Sequence, residues 1–419
     1  MSSIVVVVGA NWGDEGKGRI VDYLAGQASA SIRFQGGNNA GHTVVNEFGT
    51  FKLHQLPSGV FNPDCIAVLG PGMVISPEKL SLEIEEVATS GVEVKLCISD
   101  RATLCLPLHA LEDTLEEQRL GDGAYGSTRQ GIAPAYGDRV MKKGILVGWL
   151  KQPEVLRERI QFMMDWKLPQ MKALYPSFEF TQTAEEMTEW LLEVSAPWRD
   201  SITNVTEPLK ALQKEDKTLL FEAQLGAGRD LVYGEYPWTT SSNVTAAYAG
   251  IGSGLPALHP ERVIAVAKSF SSSVGTGTLI TAMEDQDQFR EDAKEFGATT
   301  GRPRDMGYFD AVATRNGVEL QAATEIALTK IDCLTGMKDL KICVAYDGEH
   351  TENPIWPQTA SLAPVYEQMK GWEEDITGCR QFEELPAGAQ EYILRIEELM
   401  GVPVKMVSVG PERDQMILR

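Results

Sequence analysis

Residues 4–18 read IVVVVGANWGDEGKG, from Ile4 to Gly18. The β-branched run Ile4–Val8 has no polar alternation, the pattern of a parallel strand buried on both faces. Gly9 ends the run. Gly13, Gly16 and Gly18 then let the backbone come close to a ligand. Lys17 stands where a phosphate-binding lysine would, and a helix is expected to begin through Arg19, Ile20, Val21, Tyr23 and Leu24. A strand, a glycine loop and a helix N-terminus form an anion site, because unpaired N–H groups and the helix dipole point at the ligand.

The loop is not a standard G-x-x-x-x-G-K-[ST] phosphate loop, since Asn11 and Gly18 stand where glycine and a hydroxyl residue belong. The hydroxyl that usually helps to hold Mg²⁺ is missing. Asp14 is the candidate replacement, as a hard divalent cation takes carboxylate oxygen. A second glycine-rich stretch, QGGNNAGHT from Gln35 to Thr43, echoes the first.

Short apolar runs alternate with helical segments along most of the 419 residues. Strands are expected at Ala30–Phe34, Thr50–Leu53, Cys65–Leu69, Val94–Ile98, Thr218–Glu222, Val263–Phe270, Ile326–Ile331, Lys341–Tyr346 and Val404–Val409. Helices are expected at Pro77–Ser90 and Ala387–Met400. That alternation implies an α/β fold with a large, mostly parallel central sheet flanked by helices and a P-loop NTPase-like nucleotide end. Residues 148–217 are charged and helical in period, so they read as a helical insertion within a single domain spanning 1–419. Gly121–Tyr136 is too polar and glycine-rich for core and reads as a loop over the site.

A formal charge of −21 argues against a nucleic-acid or anionic-membrane surface. A nucleotide would need a locally basic pocket, for which Thr299-Thr300-Gly301-Arg302-Pro303-Arg304 is the candidate. The six cysteines show no C-x-x-C and no zinc spacing, and read as reduced thiols of a cytoplasmic protein. No apolar run is long enough to span a membrane and no signal peptide is evident.

The stretches NWGDEGKGRIVDYL, QGGNNAGHTV, LPSGV, TTSSN, GATTGRPR, LTKID and SVGP resemble, in order and spacing, the adenylosuccinate synthetase family. The resemblance implies a homodimeric, Mg²⁺-dependent ligase that uses GTP to join L-aspartate to C6 of IMP. Attack by an amine at C6 of a 6-oxopurine requires O6 to become a leaving group, which a phosphoryl transfer achieves. Asp14 suits the base that takes the N1 proton, and the resemblance places Mg²⁺ on Asp14 and the Gly41 backbone. His42 follows N-N-A-G in a glycine loop with little packing to serve, which suits an acid near O6 and the γ-phosphate.

By the same resemblance GTP is held by Gly13, Asp14, Glu15, Gly16, Lys17, Gly18, Gly41, His42, Thr43 and Arg304. Lys330, Asp332, Ser408 and Gly410 form its guanine side. Asn39, Thr128, Lys142, Gln224, Thr240 and Arg302 fall on the IMP contacts. Ala298, Thr299, Thr300, Arg302 and Arg304 fall on the aspartate loop. The catalytic set is Asp14, His42 and Lys17.

Several positions depart from the family pattern. Leu225 stands where the nucleotide-binding glutamine belongs, with Gln224 beside it. Lys142, with Lys143 next to it, replaces the arginine expected to reach in from a partner subunit, keeping charge and losing bidentate geometry. The arginine of the run Gly126–Gly131 is moved by one place, TLITA follows Gly277, and Asp305 replaces the third arginine of the aspartate loop. Two further readings stay open: the same chemistry on a guanine or deoxy nucleotide, and a GTP-binding regulatory protein that has lost turnover.

Overall fold

A computed structural model describes residues 3–274, 277, 279–297, 301–347 and 362–419. Ala298, Thr299 and Thr300 lie outside the described residues.

The run at the N-terminus forms strand β1, Ile4–Gly9, with all six residues buried. The other strands of its sheet, in chain order, are β2 (Ala30–Arg33), β3 (Ile66–Leu69), β4 (Leu96–Ser99) and β5 (Ile202–Thr203). They continue with β6 (Leu219–Glu222), β7 (Arg262–Lys268), β8 (Glu325–Thr329), β9 (Val404–Ser408) and β10 (Met416–Leu418). Their order across the sheet is β10-β9-β8-β7-β1-β6-β2-β3-β4-β5, parallel throughout except for the last strand, β10. The two halves diverge from β1, which pairs with β6 on one side and β7 on the other. Ligands in open parallel sheets bind at such a divergence, beyond the carboxyl ends of the strands. There helix α1, Lys17–Ala25, begins.

One core packs under β1, β6, β7 and β8 with the late helix Ala387–Met400, and another under β3 and β4 with the helices Pro153–Leu174 and Ala184–Val194. The segment read as a helical insertion therefore also supplies β5, the edge strand paired with β4. Two expected strands lie off the main sheet. Gly49–Leu53 pairs with His42–Asn46 in a hairpin, and Asp339–Asp347 lies in a three-stranded sheet with Phe309–Asp310 and Ala363–Lys370. The first pairs only antiparallel, within its hairpin, and the second runs parallel to the short Phe309–Asp310 strand on one side and antiparallel to Ala363–Lys370 on the other. The polar stretch Gly121–Tyr136 is a loop only as far as Gly131, where helix Ile132–Val140 starts. All six cysteines are free. No helix among the described residues is long and apolar enough to cross a membrane.

Candidate functional site

After β1 the chain turns through left-handed backbone at Gly13, Asp14 and Gly16, with φ of 102°, 57° and 96°. Two of these are glycines, which adopt that region freely. At Asp14 the turn throws the carboxylate outward into a cavity of about 690 Å³. Glu15 folds the other way. Its Oε1 accepts from the backbone N–H groups of Asn11 (3.2 Å) and Gly13 (2.9 Å), and its Oε2 from Lys17 Nζ at 2.5 Å. The loop's own N–H groups and its lysine thus surround an internal carboxylate, in the way such a nest holds an external anion. Thr329 Oγ1 donates to the Glu15 carbonyl at 2.6 Å and fastens the T-K-I-D segment to the loop.

Asp14 is braced from across the cavity. Arg304 donates from Nη2 to Asp14 Oδ2 at 2.6 Å, and its Nη1 donates to the buried carboxylate of Glu295. Lys268 (2.7 Å) and Lys330 (2.5 Å) complete an ionic cluster on Glu295. Glu295 is held far below the usual carboxylate range. Burial alone would raise it, and the three cations overcome that. Burial brings Lys268 down to about 8.

His42 opens the hairpin and is buried, so the expectation that it has little packing is corrected. Its Nδ1 contacts Glu222 Oε1 at the end of β6. Glu222 is fully buried and also accepts from the backbone N–H of Ser58 at 2.6 Å and the Ser58 hydroxyl at 2.7 Å. A carboxylate on Nδ1–H fixes the ring and leaves Nε2 as the other working nitrogen. Burial draws His42 below its ordinary pKa, and Glu222 opposes that pull. The histidine also accounts for the missing loop hydroxyl. A Cβ at Gly18 would lie 2.8 Å from His42 Cβ and 2.9 Å from Ser58 Oγ, so serine or threonine does not fit there.

The cavity brings together Gly13, Asp14, Asn39, Gly41, Thr128, Thr240, Arg302 and Arg304 from five separated stretches of chain. Arg302 donates to the carbonyl of Gly126, tying the Gly301–Arg304 segment to the loop that carries Thr128. Leu225, Trp12 and Trp238 supply apolar wall. Gln224 is not part of the lining. It is fully buried and accepts from Arg33 at 2.8 Å, while its amide donates to the Gly37 carbonyl (2.8 Å) and Asn39 Oδ1 (3.0 Å). Its reading as a direct nucleotide contact is therefore corrected to a brace behind Asn39. Lys142 is exposed, away from the lining, in left-handed backbone with φ of 65°, and Lys143 Nζ sits 4.4 Å from the Phe162 ring.

Glu15, Gly16, Lys17, Gly18, His42 and Thr43 are not among the residues that line this cavity. Asp332 is half-buried, and burial raises its carboxyl above the usual range. Ser408 Oγ and the Gly410 carbonyl both accept from Arg19 Nη1, and Arg19 Nη2 reaches the Gln415 carbonyl at 2.8 Å. Glu222, Glu295, Arg33 and Arg19 escaped the reading of the sequence. Only Glu222 had a signal, a carboxylate at the carboxyl end of an apolar strand beside the loop.

A family model described as adenylosuccinate synthetase matches residues 6–417. The chain belongs to the adenylosuccinate synthetase family. Its reaction is the GTP-dependent joining of L-aspartate to IMP in purine biosynthesis. It is 84% identical over 415 residues to adenylosuccinate synthetase 2 of Pseudoalteromonas translucida, covering 99% of each chain. It is 42% identical to the adenylosuccinate synthetase of Caldanaerobacter subterraneus, again across 99% of both. The fully ligated adenylosuccinate synthetase of Plasmodium falciparum superposes with a TM-score of 0.90 at 33% identity over the whole of both chains. The succinoaminodeoxyadenylate synthetase of cyanophage S-2L, solved with dGMP and dATP, shares the fold at a TM-score of 0.63 and 18% identity, covering 100% of this chain and 95% of that one.

Proposed function

We propose that Asp14 and His42 divide the phosphoryl-transfer half of this reaction between them. Asp14 takes the N1 proton of IMP, which turns O6 into the nucleophile for the γ-phosphoryl of GTP. His42, oriented through Nδ1 by Glu222, offers Nε2 to the migrating group. The aspartate amine then attacks C6, forming the C–N bond as the C6–O bond breaks and phosphate leaves, which gives adenylosuccinate. The observation that carries this division is the opposed placement of two acid–base groups around one loop: Asp14 turned into the cavity against Arg304, and His42 packed behind the loop on Glu222.

Arg302 and Arg304 face the aspartate, with Ala298, Thr299 and Thr300 completing that loop. Asn39, Thr128 and Thr240 hold the IMP ribose phosphate. Lys330, Asp332, Ser408 and Gly410 read guanine, and Lys17 serves the transferring phosphate once it is released from Glu15. Mg²⁺ fits this donor set, because Asp14 presents a carboxylate to the cavity and Gly41 lines the same wall. Mg²⁺ normally takes one or two carboxylates plus substrate phosphates. Bound there, the ion would neutralise charge on the transferring phosphoryl group. Lys142 serves a second subunit in a homodimer on this reading, and its exposure supports that. The chain is read as one domain acting in the cytoplasm.

Leu225 on the cavity wall, where a polar contact was expected, favours a second reading in which a 2-amino or deoxy acceptor is also used. The test is phosphate release and product mass with GTP, Mg²⁺ and L-aspartate against IMP, dIMP, GMP and dGMP. Turnover is expected with IMP. Faster turnover with dGMP or GMP would transfer the assignment to that acceptor, and none with any of the four would overturn the ligase reading of the site.

A further inference from the structure

Glu295 does not line the cavity and is not itself a position the family resemblance assigns to a substrate, yet it is fully buried and joins two walls of the site. Its Oε1 accepts from Lys330 Nζ at 2.5 Å. Its Oε2 accepts from Lys268 Nζ (2.7 Å), from Ser272 Oγ (3.1 Å) and from Arg304 Nη1. Arg304 is the residue whose other terminal nitrogen holds Asp14. Lys330 adopts left-handed backbone with φ of 58°, directly before Ile331 and Asp332, so its side chain and the guanine-side turn are set together. One carboxylate thereby spans from the base at the acceptor to the segment at the guanine.

Charge balance by itself needs only proximity. The division of the two carboxylate oxygens, one to the guanine side and the other to the acceptor side, adds direction. In a dry interior each of these hydrogen bonds is strong and polarises its neighbours. A shift of Arg304 on ligand binding changes the bond at Oε2, and through the rigid carboxylate it changes the position preferred by Lys330.

We infer that Glu295 is a positioning residue that couples the acceptor end of the site to the guanine end, so that occupancy of one raises affinity at the other. The inference rests on the proposed roles of Asp14, which Arg304 holds, at the acceptor and of Lys330 at the guanine. Coupling between ligand sites of this kind is typically about 5–150-fold and is reciprocal.

The experiment measures binding of a non-hydrolysable imido analogue of GTP by calorimetry, alone and with saturating IMP, in wild type, Glu295→Gln and Lys330→Met. The wild type is expected to bind the analogue at least about fivefold tighter with IMP present, and both variants to bring that ratio close to one. A purely structural or charge-balancing Glu295 would shift both constants together and leave the ratio alone. Glu295→Gln even adds net positive charge, which by itself would tighten the analogue. Lys330→Met removes a half-buried arm and keeps the buried carboxylate paired, so it decides the matter if Glu295→Gln does not fold. A ratio unchanged in either folded variant, or a wild-type ratio of one, overturns the inference. Wild-type turnover with IMP is scored separately, so failure of the ligase reading is distinguished from failure of the coupling.

Discussion

Asp14 and His42 are held in opposite ways. Asp14 keeps 28% of its side-chain surface exposed and is oriented by an ionic chain running through Arg304 to Glu295, Lys268 and Lys330. His42 is buried and oriented by Glu222 alone, with Ser58 as that carboxylate's further support. A group facing a cavity must stay fixed while water and ligands exchange around it, and screening weakens any single pair there. A buried ring needs one good partner, since the low dielectric makes that contact strong and its loss costly. Four charges serve at one end where one suffices at the other.

The largest effect should come from the open end. Asp14→Asn keeps shape and tolerates the left-handed backbone, so melting should hardly change while kcat falls by about 10³-fold, within the usual range for a general base. A kcat within threefold of wild type would remove Asp14 from the chemistry. Next is the buried end. Glu222→Gln should lower kcat roughly 10–100-fold with little change in the KM of IMP, and should also lower the melting temperature because a buried pair is broken. If kcat holds while stability drops, Glu222 is scaffolding and the contrast with Asp14 disappears.

Asp332→Asn should weaken GTP about tenfold and improve a xanthine nucleotide, since an amide presents a donor where the carboxylate accepts. An unchanged ratio between the two nucleotides, in competing turnover, would take Asp332 out of base reading. The smallest effect concerns Glu83, which accepts the N–H groups of His54, Gln55 and Leu56 behind the hairpin. Burial raises it to about 7 from 4.5. Native protein then binds more protons than unfolded protein between those values, so this residue's contribution falls as pH rises through the window and is gone above about 7. Glu83→Gln should flatten that part of the stability–pH curve in denaturant titrations from pH 4.5 to 8; a slope equal to wild type would show that the N–H bonds outweigh burial.

Most of the fold was legible because its signals are local. β1, the late helix Ala387–Met400 and the parallel sheet all follow from runs of residues whose period sets their structure. The cavity was legible at Asp14, Arg302 and Arg304, because a glycine loop and framed arginines mark a site in the chain itself, and at Asn39, Thr128 and Thr240 through the family resemblance. Glu295 and Arg19 were not, since each acts only through partners brought close by the fold. Glu295 is 281 positions from Asp14 in sequence and two contacts from it in space. Gln224 misled for the reverse reason: its sequence neighbourhood was right, and the buried Arg33 turned its amide away from the cavity.

Arg19 joins the first helix to residues 408–415, across nearly the whole chain. The proposed guanine contacts Ser408 and Gly410 are thus bonded to a residue nearly 400 positions earlier in the chain. A ribosome adding roughly 5–20 residues per second takes on the order of 20–80 s to pass from Arg19 to residue 415, and through that time the helix stands without these partners. Until residues 408–415 emerge, Arg19 has none of these partners, and the proposed guanine contacts at Ser408 and Gly410 form late in synthesis.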